Sequence, residues 1–149
     1  MHKLKNILLA EDNAKDLELT LTALESHKLA NRLDTARDGQ EVMDYLNKAG
    51  KYAGREVGNP CLILLDVKMP RMSGIEALKK IRVDERFKSI PVVMLTSSRE
   101  ECDILESYIL GVNAYVVKPV DFLDFVDVVS KVGGFWAIIN EPPPETAVA

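Results

Sequence analysis

The sequence predicts an α/β fold, a doubly wound five-stranded parallel sheet built in the order (βα)5. Three observations carry that prediction. Short continuous apolar runs recur along the chain, as strands buried on both faces require. Amphipathic segments with helical spacing lie between them. Most of those segments open on Asn, Ser or Asp with an acid three residues later, the pattern that satisfies the free N–H groups of a helix start.

The elements follow in order. Ile7-Leu8-Leu9-Ala10 is the first strand. A helix begins near Asn13, with Asp16 three residues on and Leu17, Leu21 and Leu24 along one face. Arg32-Leu33-Asp34-Thr35-Ala36 alternates, as an edge strand does. Asp38 and Glu41 open the second helix. The connection from Lys48 to Pro60 carries Gly50, Gly54 and Gly58 and reads as a longer surface loop. Leu62-Ile63-Leu64-Leu65 is the third strand, and Ser73 with Glu76 opens the third helix. Val92-Val93-Met94-Leu95 is the fourth strand, and Ser98 with Glu101 opens the fourth helix. Tyr115-Val116-Val117 is the fifth strand, and the last helix begins near Asp121. Short right-handed crossovers turn this order into a parallel sheet covered on both faces. One domain is expected over residues 1–140. Pro142-Pro143-Pro144 cannot continue a helix, and residues 141–149 are expected to form a disordered tail.

The chain has 149 residues, 47% of them hydrophobic and 28% charged, enough for one core and a charged surface. Its net charge is −4 with no block of Lys and Arg, which argues against direct contact with nucleic acid or anionic lipid. The apolar run after Met1–Lys5 breaks at Glu11-Asp12, too early for a signal peptide, and no run reaches membrane-spanning length. A cytoplasmic protein is expected. Cys61 and Cys102 lack a CxxC spacing and read as two reduced thiols, with a disulfide left open. His2 and His27 stand far apart and form no ligand cluster.

In an open α/β sheet, ligands gather at the carboxyl ends of the strands. The first strand ends in Glu11-Asp12, the third in Asp66, the fourth in Thr96-Ser97-Ser98, and the fifth in Lys118-Pro119. Each acid taken alone could merely cap the helix that follows. Together they amount to three carboxylates, a hydroxyl and an ammonium. Converging carboxylates repel one another, and a hard divalent cation such as Mg²⁺ relieves that with oxygen ligands. A carboxylate nucleophile, a cation, a hydroxyl and a lysine make up a phosphoryl-transfer site. Asp66 is the expected acceptor, at a central strand end followed by the turn Met69-Pro70-Arg71-Met72-Ser73-Gly74.

Five motifs in order resemble the receiver domain of two-component response regulators: Leu9-Ala10-Glu11-Asp12-Asn13, Leu65-Asp66-Val67-Lys68-Met69-Pro70, Met72-Ser73-Gly74, Leu95-Thr96-Ser97, and Ala114-Tyr115-Val116-Val117-Lys118-Pro119. The resemblance runs from about Lys5 to Lys131 and implies the flavodoxin-like receiver fold. It implies that Asp66 is phosphorylated. It implies that Asp12, Asp66 and the backbone carbonyl of Lys68 ligate Mg²⁺ directly, with Glu11 holding the metal through water. Thr96 matches the hydroxyl that moves to the phosphoryl group, Lys118 the lysine that pairs with it, and Tyr115 the aromatic that turns inward. The implied output surface is the fourth helix, fifth strand and fifth helix. Lys68 and Ser98 stand where the family tunes water access to the acyl phosphate, and this pair predicts slow self-dephosphorylation.

The last helix carries one apolar stripe, Phe122, Phe125 or Val126, Val129 and Trp136, expected to face the sheet. A second set, Val128, Val132, Phe135 and Ile139, is expected to face away and to mark a homodimer or partner surface, with Trp136 at its border. Gly133-Gly134 marks either a bend or the helix end, after which Phe135-Trp136 folds back. The long second connection and this ending resemble the small regulators that partner phytochrome-type histidine kinases. That narrower resemblance implies a sensor histidine kinase, and a histidine phosphotransfer protein fits the same chemistry. A haloacid-dehalogenase phosphatase wants a second acid two residues after the nucleophile, where Lys68 stands. A flavin or nucleotide binder wants a glycine-rich loop after the first strand, where Glu11-Asp12 stands. The remaining alternative is a receiver-like adaptor that works without phosphorylation, against which the complete set Glu11, Asp12, Asp66, Thr96 and Lys118 argues.

Overall fold

The computed structural model describes residues 6–26, 32–56 and 58–144. The expectations placed on Met1–Lys5, His27 and residues 145–149 lie outside them. Residues 141–144 have no regular secondary structure.

Five strands and five helices alternate: β1 (Asn6–Ala10), α1 (Ala14–Ser26), β2 (Arg32–Ala36), α2 (Gly39–Asn47), β3 (Leu62–Leu65), α3 (Gly74–Val83), β4 (Val92–Thr96), α4 (Glu101–Ile109), β5 (Ala114–Val117) and α5 (Phe122–Gly133). All strand pairs are parallel, in the spatial order β2-β1-β3-β4-β5. The order reverses between β1 and β3, so the crevice beyond those two strand ends is the topological switch point.

Because side chains alternate along a strand, each central strand feeds two cores. Ile7, Leu9, Leu62, Leu64, Val93 and Leu95 pack with α1 and α5 residues on one face. Leu8, Ala10, Ile63, Leu65, Val92 and Met94 pack with α2 and α3 residues on the other. This two-sided burial is why the central strands read as continuous apolar runs.

The helix starts mostly follow their capping signals. Asp38 Oδ1 accepts the Glu41 N–H at 2.8 Å, Ser73 Oγ accepts the Glu76 N–H at 3.2 Å, and Asp121 Oδ1 accepts from Leu123 and Asp124. Ser98 departs from its expected role. The N-cap of α4 is Glu100, two residues later, and the Ser98 hydroxyl donates to Asp103 Oδ2 at 2.6 Å. Ser98 is held back at the strand end, where its own N–H donates to Thr96 Oγ1.

The connection expected to be a longer surface loop carries local structure among its described residues. It contains a 3-10 turn at Gly50–Tyr52. Arg55 is buried beneath it, its guanidinium 4.0 Å above the Tyr45 ring and donating to the carbonyls of Tyr45 and Gly58.

The chain does not stop at Gly133-Gly134. It continues as a π-helical turn over Gly134–Ile139, in which Ala137 is buried and Trp136 packs on the α1/α5 core. Phe125 and Val129 face the sheet as expected. Val132, expected to face away, packs on that core too, because it lies three residues past Val129 and four before Trp136. Phe122, expected inside, is 56% exposed at the first turn of α5. Val128 is half-buried, and Phe135 and Ile139 are exposed.

Candidate functional site

Neighbouring strands pin the backbone of each residue at the switch point. The Glu11 N–H donates to the Ala36 carbonyl at 2.9 Å, the Asp66 N–H to the Ala10 carbonyl at 3.1 Å, and the Lys118 N–H to the Thr96 carbonyl at 2.8 Å. The ladder thus continues one residue past each strand and aims the side chains into one crevice. Gly74 closes the turn behind Asp66: its N–H donates to the Val67 carbonyl at 2.8 Å, and a Cβ there would collide with the Asp66 carbonyl oxygen.

Carboxylate oxygens of Glu11, Asp12 and Asp66 all lie within 4.8 Å of one another. Glu11 and Asp66 are buried and Asp12 is exposed. Lys118 Nζ sits among Glu11 Oε1 at 2.6 Å, Asp16 Oδ2 at 3.0 Å and Asp66 Oδ2 at 3.1 Å. Thr96 Oγ1 donates to Asp66 Oδ1 at 2.7 Å, and the Lys68 N–H reaches the same oxygen at 3.3 Å. The Lys68 side chain turns outward to Glu100 Oε1 at 3.2 Å. Tyr115 is half-buried, with its hydroxyl donating to the Ser98 carbonyl at 3.0 Å.

The electrostatics are those of crowded acids. Burial, together with the facing Asp66 carboxylate, pushes the Glu11 carboxyl up to about 9, against the pull of Lys118. Burial would also raise Asp66. The facing Glu11 carboxyl, the charge of Lys118 and the Thr96 hydroxyl outweigh it and hold Asp66 below its usual value. Burial would lower Lys118, and its bond to Glu11 and the nearby Asp66 charge keep it raised instead. Glu11 Oε2 is buried with no hydrogen-bond partner among the described residues. An orphaned carboxylate oxygen beside two more acids fits a hard divalent cation, which prefers oxygen ligands.

A family model for the response regulator receiver domain matches residues 7–130. The chain belongs to that family. The receiver is 37% identical over 132 residues to response regulator Rcp1 of Synechocystis, covering 89% of this chain and 88% of that one. The Mn²⁺-bound form of Rcp1 superposes with a TM-score of 0.87 over 94% of this chain and 99% of that one. The phosphorylated cyanobacterial phytochrome response regulator RcpA gives 0.88 at 38% identity, over 95% and 100% of the two chains. The bacteriophytochrome response regulator RtBRR is 56% identical with a TM-score of 0.75, over 95% and 86%.

The receiver's crevice brings Glu11, Asp12, Asp66, Thr96 and Lys118 together, with Tyr115 and the Lys68 backbone at its edge. The α5 group lies elsewhere: Phe135 is exposed, Val128 is half-buried, and Val132 and Trp136 pack on the core. Sequence reasoning missed Asp16, which it took for the distal member of a capping box. Asn13 Oδ1 does accept the Asp16 N–H at 3.0 Å, but the Asp16 carboxylate goes to Lys118. The signal available was an acid in the first turn of α1, the helix that follows directly on Glu11-Asp12.

Proposed function

We propose that the protein accepts a phosphoryl group onto Asp66 in a Mg²⁺-dependent reaction, taking it from the phosphohistidine of a sensor histidine kinase or a phosphotransfer protein. A divided acceptor carries this reading: Asp66 Oδ1 faces the Thr96 hydroxyl at 2.7 Å and Oδ2 faces the Lys118 ammonium at 3.1 Å. An Asp66 oxygen attacks phosphorus, the phosphorus–nitrogen bond to the donor histidine breaks, and the imidazole leaves. Mg²⁺ held by Asp12, Asp66 and the Lys68 carbonyl, with Glu11 acting through water, would supply charge neutralisation between the acids and the incoming phosphoryl oxygens. Lys118 offers its ammonium to a phosphoryl oxygen, and Thr96 has a hydroxyl ready to follow. Tyr115 then loses its hold on the Ser98 carbonyl and turns inward, altering the face made by α4, β5 and α5. The protein signals by this change and turns over no outside substrate.

That face supports a contact role. Leu105, Tyr108 and Ile109 of α4 and Leu123 of α5 are exposed, as are Phe135, Ile138 and Ile139 beyond α5. In this reading they meet a second copy of the chain, with Val132 and Trp136 backing the surface from inside. No helix among the described residues is long and apolar enough to cross a membrane, which suits the cytoplasmic location proposed. In this reading the receiver unit ends at Asn140, and the described residues 141–144 beyond it have no regular secondary structure.

Intact mass after incubation with acetyl phosphate and Mg²⁺ tests the central claim. A gain of one phosphoryl group is expected, absent in Asp66→Asn. An unchanged mass in the wild type would leave the adaptor reading in its place.

A further inference from the structure

We propose that Asp16 is a positioning residue for Lys118, holding the ammonium in place while Asp66 passes from carboxylate to acyl phosphate. The inference rests on the acceptor role of Asp66.

An ammonium has three N–H donors. At Lys118 each has one acceptor: Glu11 Oε1 at 2.6 Å, Asp16 Oδ2 at 3.0 Å and Asp66 Oδ2 at 3.1 Å. Two of these belong to the cluster of three acids that could share a cation. Asp66 changes chemically when phosphorus arrives, and Glu11 must divide its charge with any ion held there. Asp16 stands outside that cluster. Among the described partners of Lys118, it alone keeps the same chemistry before and after transfer.

Asp16 is built to hold still. Its N–H is tied to Asn13 Oδ1 at 3.0 Å, and its carbonyl accepts the Thr20 hydroxyl at 2.7 Å. Its position in the first turn of α1 usually turns an acid back onto the helix start. Here the carboxylate reaches across to the end of β5, joining elements 102 residues apart. Lysine needs such a hold because its four-carbon stem is flexible and carries a point charge.

Asp16 also adds negative charge near a site that must admit an anionic donor, which would slow transfer. The two effects have opposite signs, so measurement separates them. The Lys118 side chain is only 8% exposed and that of Asp16 is 32% exposed. Water therefore screens the repulsion from Asp16 more than it weakens a direct hydrogen bond.

The test uses the full chain, acetyl phosphate and Mg²⁺, with phosphoryl uptake followed by intact mass. Asp16→Asn should slow uptake about tenfold, a typical worth of a coupled charge pair. Asp16→Glu should recover most of the rate. In a Lys118→Ala background, Asp16→Asn should add no further slowing. Without any donor, the ¹³Cε resonance of Lys118 should shift in Asp16→Asn. Wild-type or faster uptake by Asp16→Asn overturns the inference, as does equal slowing with and without Lys118. If the wild type gains no mass, the acceptor reading itself fails. An unmoved Lys118 resonance overturns the Asp16 contact whatever the outcome of phosphorylation.

Discussion

Asp66 shares its two carboxylate oxygens between two donors, Thr96 Oγ1 on Oδ1 at 2.7 Å and Lys118 Nζ on Oδ2 at 3.1 Å. The hydroxyl is buried and helps keep Asp66 ionised. Thr96→Val keeps the shape and removes the donor, leaving Oδ1, among the described residues, the Lys68 N–H at 3.3 Å. Phosphoryl uptake from acetyl phosphate should fall about tenfold, the equivalent of about 1.4 kcal/mol. Thr96→Ser should stay within about twofold of wild type, since it restores the donor. Rates followed by intact mass check both, and equal rates for valine and threonine would remove the hydroxyl from the reaction.

Gly74 ties Asp66 to the loop behind it. A Cβ there would collide with the Asp66 carbonyl oxygen and stand 3.2 Å from Leu65 Cγ. Neither is the end of a flexible side chain, so backbone must move. Gly74→Ala should cost about 1–3 kcal/mol by overpacking. Urea unfolding reads the loss directly, and a cost below about 0.5 kcal/mol would mean the loop yields freely.

Most of the architecture is legible in the sequence because parallel strands buried on both faces leave unbroken apolar runs. Ile7–Ala10 and Leu62–Leu65 could be placed to within a residue for that reason. The strand-end acids were legible because a doubly wound sheet has one place to bring them. Asp16 was not, since one acid in a first turn serves a cap as well as it serves a distant lysine. Arg55 was not, because burial of a guanidinium against Tyr45 leaves no local pattern. The stripe on α5 went wrong at Val132, whose neighbours Val129 and Trp136 share its face although the spacing was read as two sets. The π-turn after Gly133 was invisible because two glycines signal a stop as readily as a change of pitch.

Arg71 holds a left-handed backbone, φ 62°, that non-glycine residues rarely adopt. Its guanidinium grips the buried Asp38 carboxylate at 2.7 Å, while the Gly39 N–H donates to the Met72 carbonyl at 2.8 Å. These contacts fasten the loop after Asp66 to the start of α2. Arg71→Ala keeps the backbone strain and loses the pair, so a lower urea midpoint than wild type is expected at pH 7. Arg71→Gly loses the same pair but suits the positive φ, and should be less damaging by about 0.5–1 kcal/mol.

The pH dependence of that pair has a definite sign. Burial would raise Asp38, but the Arg71 bond and the Glu41 N–H outweigh it and hold the carboxyl below its ordinary value of 3.8. In the unfolded chain Asp38 takes up its proton first as pH falls. The stabilisation is therefore present in full above about pH 4–5 and is lost as pH drops through the depressed native value. Arg71→Ala should be less sensitive to acid over that range than wild type. Parallel acid limbs in urea melts from pH 7 to 3 would show that the pair contributes nothing.

Hydrolysis of an acyl phosphate on Asp66 needs a water aimed at phosphorus, and the residues flanking the crevice are occupied elsewhere. The Ser98 hydroxyl donates to Asp103 Oδ2 at 2.6 Å. The Lys68 ammonium pairs with Glu100 Oε1 at 3.2 Å, an exposed, water-screened contact that yields readily to a phosphoryl oxygen. A cation settled on that oxygen shields the phosphorus, and neither side chain offers a carboxylate or amide to orient the water. The phosphorylated protein should therefore persist for minutes or longer after the donor is removed. Replacing both residues, Lys68→Asn with Ser98→Gln, supplies amides at both positions and should shorten the lifetime about tenfold. Decay of the phosphorylated mass after rapid desalting measures each lifetime. A wild-type lifetime of seconds would place an activated water in the crevice despite these contacts, and the double variant would then leave the decay unchanged.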